Sequence, residues 1–376
     1  MLAHGPGPAR RLAGRYDGEL PSNKVVSFDA SALFNLAAYQ LFKRAGARRR
    51  ADFFLAEAAQ FAYRVGSHLV SRHLDERPGV LLGCKTASLE AMQRLDGAPI
   101  VKVLDQFDTA AEHARILMTE WRKWAGWSPE PYVPNDRLLR RWEEEWRICD
   151  VVFANSEFTK SALVKQGVPE AKIAIGPLAY ERPIASITKG PRSSREPLRV
   201  LWVASVNLGK GIQYLIEAAR SLDAGRFEFT VVGGIEISRL GLEAAPPNMR
   251  FAGLVPRSET ARYYREADVY VLPTLSDGFA ITQIEAMAHG LPVVTTPNCG
   301  HVVTHGVDGL IVAAGDSDAL RSALDRLERN RDEVATMSRT APGKARQFTL
   351  ENATRQMVDG IEAAFVGRER ARAGGV

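Results

Sequence analysis

Short apolar runs alternate with amphipathic stretches along the second half of the chain. The apolar runs predict six strands: Arg199–Ala204, Phe227–Val232, Met249–Ala252, Val269–Leu272, Pro292–Thr295 and Leu310–Val312. Helical periodicity between them predicts helices over Ile212–Leu222, Ser258–Glu266, Ile281–His289 and Ser317–Leu327. Because these strands are apolar throughout and alternate with helices, the pattern favours a parallel α/β sheet covered on both faces.

The first half of the chain shows the same alternation less clearly. Its apolar runs predict strands over Val80–Gly83, Ile100–Leu104, Val151–Ala154 and Ile173–Ile175, and its amphipathic stretches predict helices over Ala51–Arg72 and Arg137–Cys149. Before Val80 the only strand candidate is Lys24–Phe28, and the chain opens with a polar segment rich in glycine and proline. The first strand–helix unit is therefore expected to be shortened, or to begin upstream of this start.

Two similar halves predict two domains. Residues 184–197 have little apolar content and are interpreted as a linker between a domain over 1–183 and a domain over 198–348. Residues 349–376 are predicted to form a last amphipathic helix over Thr349–Phe365 and a tail. Ligands of open α/β sheets bind beyond the carboxyl ends of the strands, so functional residues are expected in the loops that follow strands.

Composition narrows the class of protein. The 376 residues are 45% hydrophobic and 25% charged, which is typical of a globular protein with two domains. No apolar run approaches the roughly 18 residues of a membrane helix, and the first 15 residues show no signal-peptide pattern. Cys84, Cys149 and Cys299 lie far apart, as reduced thiols of a cytoplasmic protein do, and have no metal-binding spacing.

Charge is concentrated in one place. The formal net charge is +5, and the segment Lys43–Arg50 carries five positive charges and no negative one. The segment is interpreted either as a solvated loop or as a patch that meets anionic lipid head groups or phosphates at the inner membrane face. Aromatic residues do not interleave with these charges, so nucleic acid is not an expected partner.

The most informative segment follows the predicted strand Val269–Leu272. Gly278 is expected to permit an unusual backbone turn before the helix that begins near Ile281, and the amides of Phe279, Ala280 and Ile281 are expected to point outward at a phosphate or a sugar hydroxyl. Asp277 and Glu285 could accept hydrogen bonds from sugar hydroxyls. The structural alternative is an aspartate that caps the helix and a solvated glutamate.

Two other strand ends add to this pattern. Gly209, Lys210 and Gly211 follow the strand Arg199–Ala204 and open the next helix, where a lysine can neutralise a diphosphate. The turn Gly253–Val255 follows another strand and has backbone groups that could pair with a flat base. Taken alone, Lys210 could equally be a surface lysine near a helix start.

Residues 198–366 resemble the donor-binding half of glycosyltransferase family 4, whose members have the GT-B fold. The resemblance is carried, in order along the chain, by Lys210–Gly211, Val231–Gly234, Phe251–Gly253, Ala267–Pro273, Asp277–Glu285, Gly290–Val294 and Gly306–Val312. The first half resembles the family only from about Val80, most clearly at Ala154–Glu157 and Gly167–Pro169. The resemblance implies two Rossmann-like domains that face each other across a cleft, with the last helix crossing back to the first domain.

The resemblance also implies roles for single residues. Glu285 matches the glutamate that binds the ribose diol of a nucleotide sugar, and Asp277, one methylene shorter than the usual glutamate, matches the residue that holds donor-sugar hydroxyls. Lys210 matches the lysine that neutralises the departing diphosphate. The position of the usual arginine is Ser205, which supplies no charge. The implied donor-binding set is Ser205, Gly209, Lys210, Gly253, Leu254, Val255, Asp277, Gly278, Phe279, Ala280, Ile281 and Glu285.

The acceptor side departs more from the family. A histidine usually follows the strand that matches Ile100–Leu104, and here Asp105 and Gln106 stand there, with Asp108 and His113 downstream. Asp105 and His113 are candidates to hold the acceptor hydroxyl; their alternative is a turn and a helix surface. Trp121, Trp124 and Trp127 are interpreted either as a core stripe or as an aromatic platform for a sugar ring or a lipid surface.

The expected function is therefore transfer of a sugar from a nucleotide-diphosphate donor to a hydroxyl acceptor, such as a glycan, a lipid-linked glycan or a small molecule. By resemblance the reaction retains the anomeric configuration and needs neither a metal nor a cofactor. One alternative is a non-catalytic protein that binds a nucleotide sugar on the same scaffold, suggested by Ser205, Asp277 and the shortened start. Another is an epimerase or phosphorylase of related fold.

Overall fold

The fold is built on two parallel sheets. The structure is a computed structural model that describes residues 47–181 and 195–373. The first sheet contains four strands that are hydrogen-bonded in chain order: β1 (Gly79–Cys84), β2 (Ile100–Gln106), β3 (Val151–Ala154) and β4 (Ile173–Ile175). The strand candidate Lys24–Phe28 and most of the predicted linker 184–197 lie outside the described residues.

The second sheet has six strands, all parallel to their neighbours. They are β5 (Leu198–Val203), β6 (Phe227–Val232), β7 (Met249–Gly253), β8 (Val269–Leu272), β9 (Val293–Thr295) and β10 (Gly309–Ile311). Their order in the sheet is β10-β9-β8-β5-β6-β7, so the chain winds in one direction from β5 to β7 and then in the other from β8 to β10. This topology places the crevice in which open α/β sheets bind ligands between β5 and β8.

Helices connect the strands and cover the sheets. The α-helices of the described residues are α1 (Ala47–Ser71), α2 (Leu89–Arg94), α3 (Ala111–Lys123), α4 (Asp136–Ile148), α5 (Glu157–Lys165), α6 (Ile212–Arg220), α7 (Arg239–Glu243), α8 (Thr260–Glu266), α9 (Ile281–Ala288), α10 (Ser317–Arg329), α11 (Arg331–Ala345) and α12 (Leu350–Ala373). Among these helices, none is long and apolar enough to cross a membrane.

The ten strand predictions that fall within the described residues are confirmed to within two residues, and the two parallel sheets confirm the expected α/β fold class. Five helices were not predicted: α2, α3, α5, α7 and α11. Helices α2 and α7 have only six and five residues, too few for a helical period to stand out. Helix α11 contains Pro342, a residue that normally ends a helix because it lacks an amide hydrogen.

Each sheet has its own hydrophobic core. Trp202, Phe227 and Phe229 are almost fully buried in the core around the six-stranded sheet. The other core lies around the four-stranded sheet, and helix α12 closes one face of it: Met357 and Ile361 pack against the group formed by Val101, Val103, Val151 and Phe153. The last helix of the chain therefore lies on the sheet made by the first half.

Two adjacent glycines give a test of this fold. Gly233 has φ +148°, and a Cβ built on it would lie 1.8 Å from the carbonyl oxygen of Ala204, whereas a Cβ on Gly234 would meet nothing within 4 Å. We expect Gly233→Ala to lower the free energy of unfolding by about 2–4 kcal/mol, because strain and overpacking add. Gly234→Ala should cost less than about 1 kcal/mol. Urea denaturation measures both; equal losses in the two variants would contradict the close approach.

Candidate active site between the two sheets

A cleft of about 680 Å³ opens between the carboxyl ends of the two sheets. The first half of the chain lines it with residues that follow β2 and with helix α3, and the second half lines it with the loops that follow β5 and β8. The residues that line the cleft include Phe107, Asp108, Thr109, His113, Trp121, Asn207, Gly209, Lys210, Ser276, Asp277 and Gly278.

The loops after β5 and β8 are joined to each other. The carbonyl oxygen of Gly209 accepts hydrogen bonds from the amide of Leu275 (2.9 Å) and the hydroxyl of Thr274 (3.1 Å). Gly211 has φ +83°, and a Cβ there would lie 2.0 Å from the carbonyl oxygen of Pro273. The sequence places a glycine at the point where the two loops leave no room for a side chain.

This junction brings Lys210 and Asp277 together. The Lys210 ammonium forms an ion pair with Oδ2 of Asp277, and the two side chains are 25% and 18% exposed. The amide of Lys210 donates to the side chain of Asn207 at 3.0 Å, which fixes the turn that carries the lysine. The pair lies between β5 and β8, where the winding direction of the sheet reverses. Lys210 and Asp277 are 67 positions apart in the chain and meet here because these two strands are neighbours in the sheet.

Gly278 is required by a close approach from the other half of the chain. A Cβ on Gly278 would lie 2.4 Å from the carbonyl oxygen of Phe107 and 2.6 Å from Nδ2 of Asn155. That Nδ2 donates to the same Phe107 oxygen at 2.8 Å. The expectation of an unusual backbone turn at Gly278 was wrong, because its φ is not among the positive values of the chain. Space between the halves, not turn geometry, requires this glycine.

At the start of helix α9, the amides of Phe279, Ala280 and Ile281 were expected to point outward at a ligand, and the structure differs from this expectation in part. The amide of Ala280 donates to the carbonyl oxygen of Cys299 at 3.3 Å and does not point into the cleft. Phe279 is 7% exposed, and its ring packs edge-on against Phe348 with centroids 5.8 Å apart. The amides of Phe279 and Ile281 have no hydrogen-bond partner within residues 47–181 and 195–373.

Glu285 lies one turn inside α9 and is only 9% exposed, so the alternative of a solvated glutamate was wrong. Its Oε2 accepts a hydrogen bond from the hydroxyl of Tyr264 at 3.0 Å, and its Oε1 lies 3.8 Å from Nη2 of Arg257. Neither Tyr264 nor Arg257 was predicted. A buried tyrosine hydroxyl needs a partner, but the sequence does not indicate which group supplies it.

The remaining donor-side candidates lie at strand ends. Gly253 has φ +71° and ends β7, with its carbonyl oxygen accepting the Gly233 amide at 2.9 Å. Leu254 is 84% exposed and Val255 is half-buried, so the turn projects from the sheet. Ser205 is half-buried just after β5, in the loop that leads to Lys210.

His113 reaches the second half of the chain. Its Nδ1 lies 3.0 Å from the hydroxyl of Ser276, one residue before Asp277, and the Thr109 hydroxyl lies 3.1 Å from the same oxygen. Burial lowers the pKa of His113, with the carboxylate of Asp108 acting against that shift. The imidazole is therefore biased towards its neutral form and lines the cleft.

The expectation for Asp105 was wrong. Strand β2 continues to Gln106, so Asp105 remains in the strand, on the same face as Val103, and does not line the cleft. Burial raises the pKa of its carboxyl group. Asp108 lines the cleft instead, where its Oδ1 accepts from the ammonium of Lys85 (2.5 Å) and the amide of Ala110 (2.9 Å).

Trp121, Trp124 and Trp127 were interpreted either as a core stripe or as an aromatic platform, and the structure divides them between these two interpretations. Trp124 packs edge-on against Trp127 with centroids 4.9 Å apart and against Tyr214 of α6 at 5.7 Å, as a core stripe would. Trp121 lines the cleft, and its indole donates to the carbonyl oxygen of Ser128 at 3.2 Å. Only Trp121 has the position that an aromatic platform requires.

A buried carboxylate joins the halves beside these rings. Oε2 of Glu120, on α3, accepts from the hydroxyl of Tyr214 (2.8 Å) and from Nε2 of Gln213 (3.0 Å), both on α6. The same Nε2 donates to the carbonyl oxygen of Leu208 in the Lys210 turn at 3.0 Å. Within the part of the chain that is described, no group of three or more His, Cys, Asp or Glu residues could hold a metal ion.

Comparison with known proteins agrees with this architecture. The family described as "Glycosyl transferases group 1" matches residues 197–330. The amylovoran biosynthesis glycosyltransferase AmsK of Erwinia amylovora is 31% identical over 223 residues, which cover 55% of this chain and 54% of AmsK. The chain thus spans about half the length of the first curated relatives it matches.

Solved structures share the fold. Sucrose-phosphate synthase of Thermosynechococcus elongatus superimposes with a TM-score of 0.61 at 20% identity, covering 81% of this chain and 78% of that one. Anabaena HepE, solved in complex with UDP, gives a TM-score of 0.60 at 18% identity, covering 80% of this chain and 82% of that one. Residues 197–330 therefore match the group 1 glycosyltransferases, and the two facing parallel sheets have the GT-B fold of these solved structures.

Proposed function

We propose that this protein transfers a sugar from a nucleoside-diphosphate donor to a hydroxyl acceptor, with retention of the anomeric configuration. The observation that carries the proposal is the placement of Lys210 and Asp277 at the reversal between β5 and β8, in the same cleft that His113 lines. A cation, a carboxylate and a neutral imidazole there match the diphosphate, the sugar hydroxyls and the acceptor hydroxyl.

The comparisons support a substrate class. HepE has the same fold and was solved with UDP, and AmsK is named for amylovoran biosynthesis. We therefore propose a uridine-diphosphate sugar as donor, a glycan or lipid-linked glycan as acceptor, and a place in polysaccharide assembly. Glu285 would bind the ribose, the turn Gly253–Val255 the base, and Asp277 the donor sugar.

The proposed mechanism is electrostatic. The bond between the anomeric carbon and the diphosphate oxygen breaks, and the acceptor oxygen forms its bond to the same carbon from the same face. The acceptor proton passes to the departing diphosphate oxygen. Lys210 neutralises the charge that develops on this group, assisted by the amides of Phe279 and Ile281 at the start of α9. Ser205 adds no charge, so the lysine carries most of this stabilisation.

On the acceptor side, His113 would hold the reacting hydroxyl. Its hydrogen bond to Ser276 fixes the ring close to Asp277, and a neutral imidazole can accept a hydrogen bond from the acceptor hydroxyl and so orient it before its proton passes to the diphosphate. Asp108 takes the place that was expected for Asp105, and its ion pair with Lys85 holds the segment that follows β2.

A peripheral contact with an anionic membrane, on the cytoplasmic side, remains part of the proposal. Residues 43–46 of the basic segment lie outside the described residues, whereas its second half begins α1, where Arg49 is exposed. Phe54 and Phe61, seven positions apart on one face of α1, are 58% and 49% exposed. Exposed aromatic rings beside basic residues are typical of helices that lie on a membrane surface.

Ligand-induced stabilisation tests the donor site. In a thermal-shift screen of UDP-, GDP- and ADP-sugars, a ligand at about 100 times its dissociation constant should add about 2.7 kcal/mol to the free energy of unfolding. Glu285→Ala should lose most of this gain, whereas Glu266→Ala, an exposed carboxylate on the neighbouring helix α8, should keep it. The donor site is refuted if no nucleotide sugar stabilises the wild-type protein.

The catalytic role of Lys210 has a separate test. With the donor that the screen selects, we expect Lys210→Ala to lower the transfer rate about 100-fold or more, because a charge on the leaving group goes unneutralised. The free energy of unfolding should fall by at most about 2 kcal/mol, since the ion pair is partly exposed. Lys165→Ala, an exposed lysine on α5, is the control. Donor binding without transfer in the wild type would favour a non-catalytic binding protein.

Stability against pH tests the buried state of His113. Because its pKa is lowered in the folded chain, the unfolded chain takes up the proton first as the pH falls. The stabilisation is complete above the ordinary histidine pKa of about 6.5 and is lost below it. Between pH 8 and pH 5.5 the free energy of unfolding of the wild type should fall by up to about 1.4 kcal/mol more than that of His113→Asn. His301→Asn, at an exposed histidine, should follow the wild type; identical losses in all three would disprove the burial argument.

A further inference from the structure

The two oxygens of the Glu285 carboxylate have different surroundings. Oε2 accepts the hydroxyl of Tyr264 at 3.0 Å, inside the protein. Oε1 lies 3.8 Å from Nη2 of Arg257, a side chain that is 72% exposed. One oxygen is therefore held by a buried donor, and the other lies beside an exposed arginine.

Tyr264 cannot move away from this contact. It is 1% exposed, and its ring stacks on His289 with centroids 5.0 Å apart and an angle of 19° between the planes. The ring of Tyr270 lies 6.2 Å away on another side. Burial raises the pKa of Tyr264 well above its ordinary value, so its hydroxyl stays protonated and remains a donor. A fixed ring thus presents a fixed donor to Glu285.

A carboxylate binds two neighbouring hydroxyls well only when its plane has the right orientation. Rotation about the last side-chain bond of a glutamate is broadly permitted, so a free carboxylate would lose entropy each time it bound. A hydrogen bond from a rigid, buried tyrosine removes that rotation in advance. It also satisfies one lone pair of Oε2, leaving the second lone pair of Oε2 and both lone pairs of Oε1 for the two hydroxyls.

We propose that Tyr264 is the positioning residue of ribose recognition in this protein, because its hydroxyl fixes the Glu285 carboxylate in the orientation that accepts the 2′- and 3′-hydroxyls. The inference rests on the proposed nucleotide-sugar function and assigns Tyr264 no contact with the substrate. It also connects two parts of the donor site: Tyr264 lies on α8, which begins just after the turn Gly253–Val255, and Glu285 lies on α9.

The test compares ribose with a sugar that lacks both hydroxyls. Dissociation constants of UDP, GDP and ADP and of their 2′,3′-dideoxy analogues are measured by calorimetry on the wild type and on Tyr264→Phe. The wild type should prefer the ribonucleotide, and Tyr264→Phe should weaken ribonucleotide binding up to about tenfold, because the unheld Glu285 side chain then loses its rotational freedom on binding. The dissociation constant of the dideoxy analogue should stay within about twofold of its wild-type value, so the preference for ribose over dideoxyribose falls.

Tyr270→Phe is the matched control. Tyr270 is also a buried tyrosine in the same core, but its hydroxyl pairs with Thr282 at 2.7 Å and not with Glu285. This variant should keep the wild-type preference, because general loosening of the core would weaken both kinds of nucleotide equally. A loss of preference in Tyr270→Phe as large as in Tyr264→Phe would overturn the inference.

Arg257→Ala distinguishes the role of Arg257 from that of Tyr264, the other neighbour of Glu285. Because Arg257 is exposed, this substitution does not disturb the core. It should retain the ribose preference; if this variant alone loses it, Arg257 orients the carboxylate and the inference is wrong. An unchanged preference in folded Tyr264→Phe also overturns the inference, although the proposed function stands. If no nucleotide binds the wild type, the proposed function itself fails. Should Tyr264→Phe not fold, loss of the ribose preference in Arg257→Ala would overturn the inference and its retention would support it.

Discussion

The junction of the loops after β5 and β8 is the constraint on which the site depends. At this reversal of the winding direction, the carbonyl oxygen of Gly209 receives hydrogen bonds from the β8 loop, and Gly211 leaves room for Pro273. The ion pair of Lys210 and Asp277 follows from that junction, because each residue comes directly after one of the two joined turns. A side chain at position 211 would force the loops apart and move Lys210 away from Asp277.

The first half of the chain completes the same junction. Gly278 admits the carbonyl oxygen of Phe107, and the Ser276 hydroxyl meets His113, so the acceptor side touches the residues on both sides of Asp277. Glu120 adds a second link, through Gln213 to the turn that carries Lys210. The donor loops are thus held from both halves, and a relative movement of the halves would be felt at the lysine and the aspartate together.

Charge in the site is balanced within the protein. Asp277 neutralises Lys210, so a diphosphate that binds the lysine has to compete with this carboxylate. The loop after β5 carries Lys210 and no charge at Ser205. In the proposed function, the donor preference and the leaving-group chemistry would therefore both depend on the single ion pair of Lys210 and Asp277.

The sequence by itself determined the strands, the α/β class and the resemblance that named Lys210, Asp277 and Glu285, because apolar runs and glycine-marked loops are local features of the chain. Its candidate Asp105 stays within β2 and does not line the cleft, because where β2 ends depends on pairing with β1 and β3 and not on local residues. It also missed Tyr264, Glu120 and the reason for Gly278. Each of these residues acts through a partner that is distant in the chain. Only the tertiary structure decides which buried hydroxyl meets which carboxylate, and where the two halves of the chain leave room for a hydrogen atom but not for a side chain.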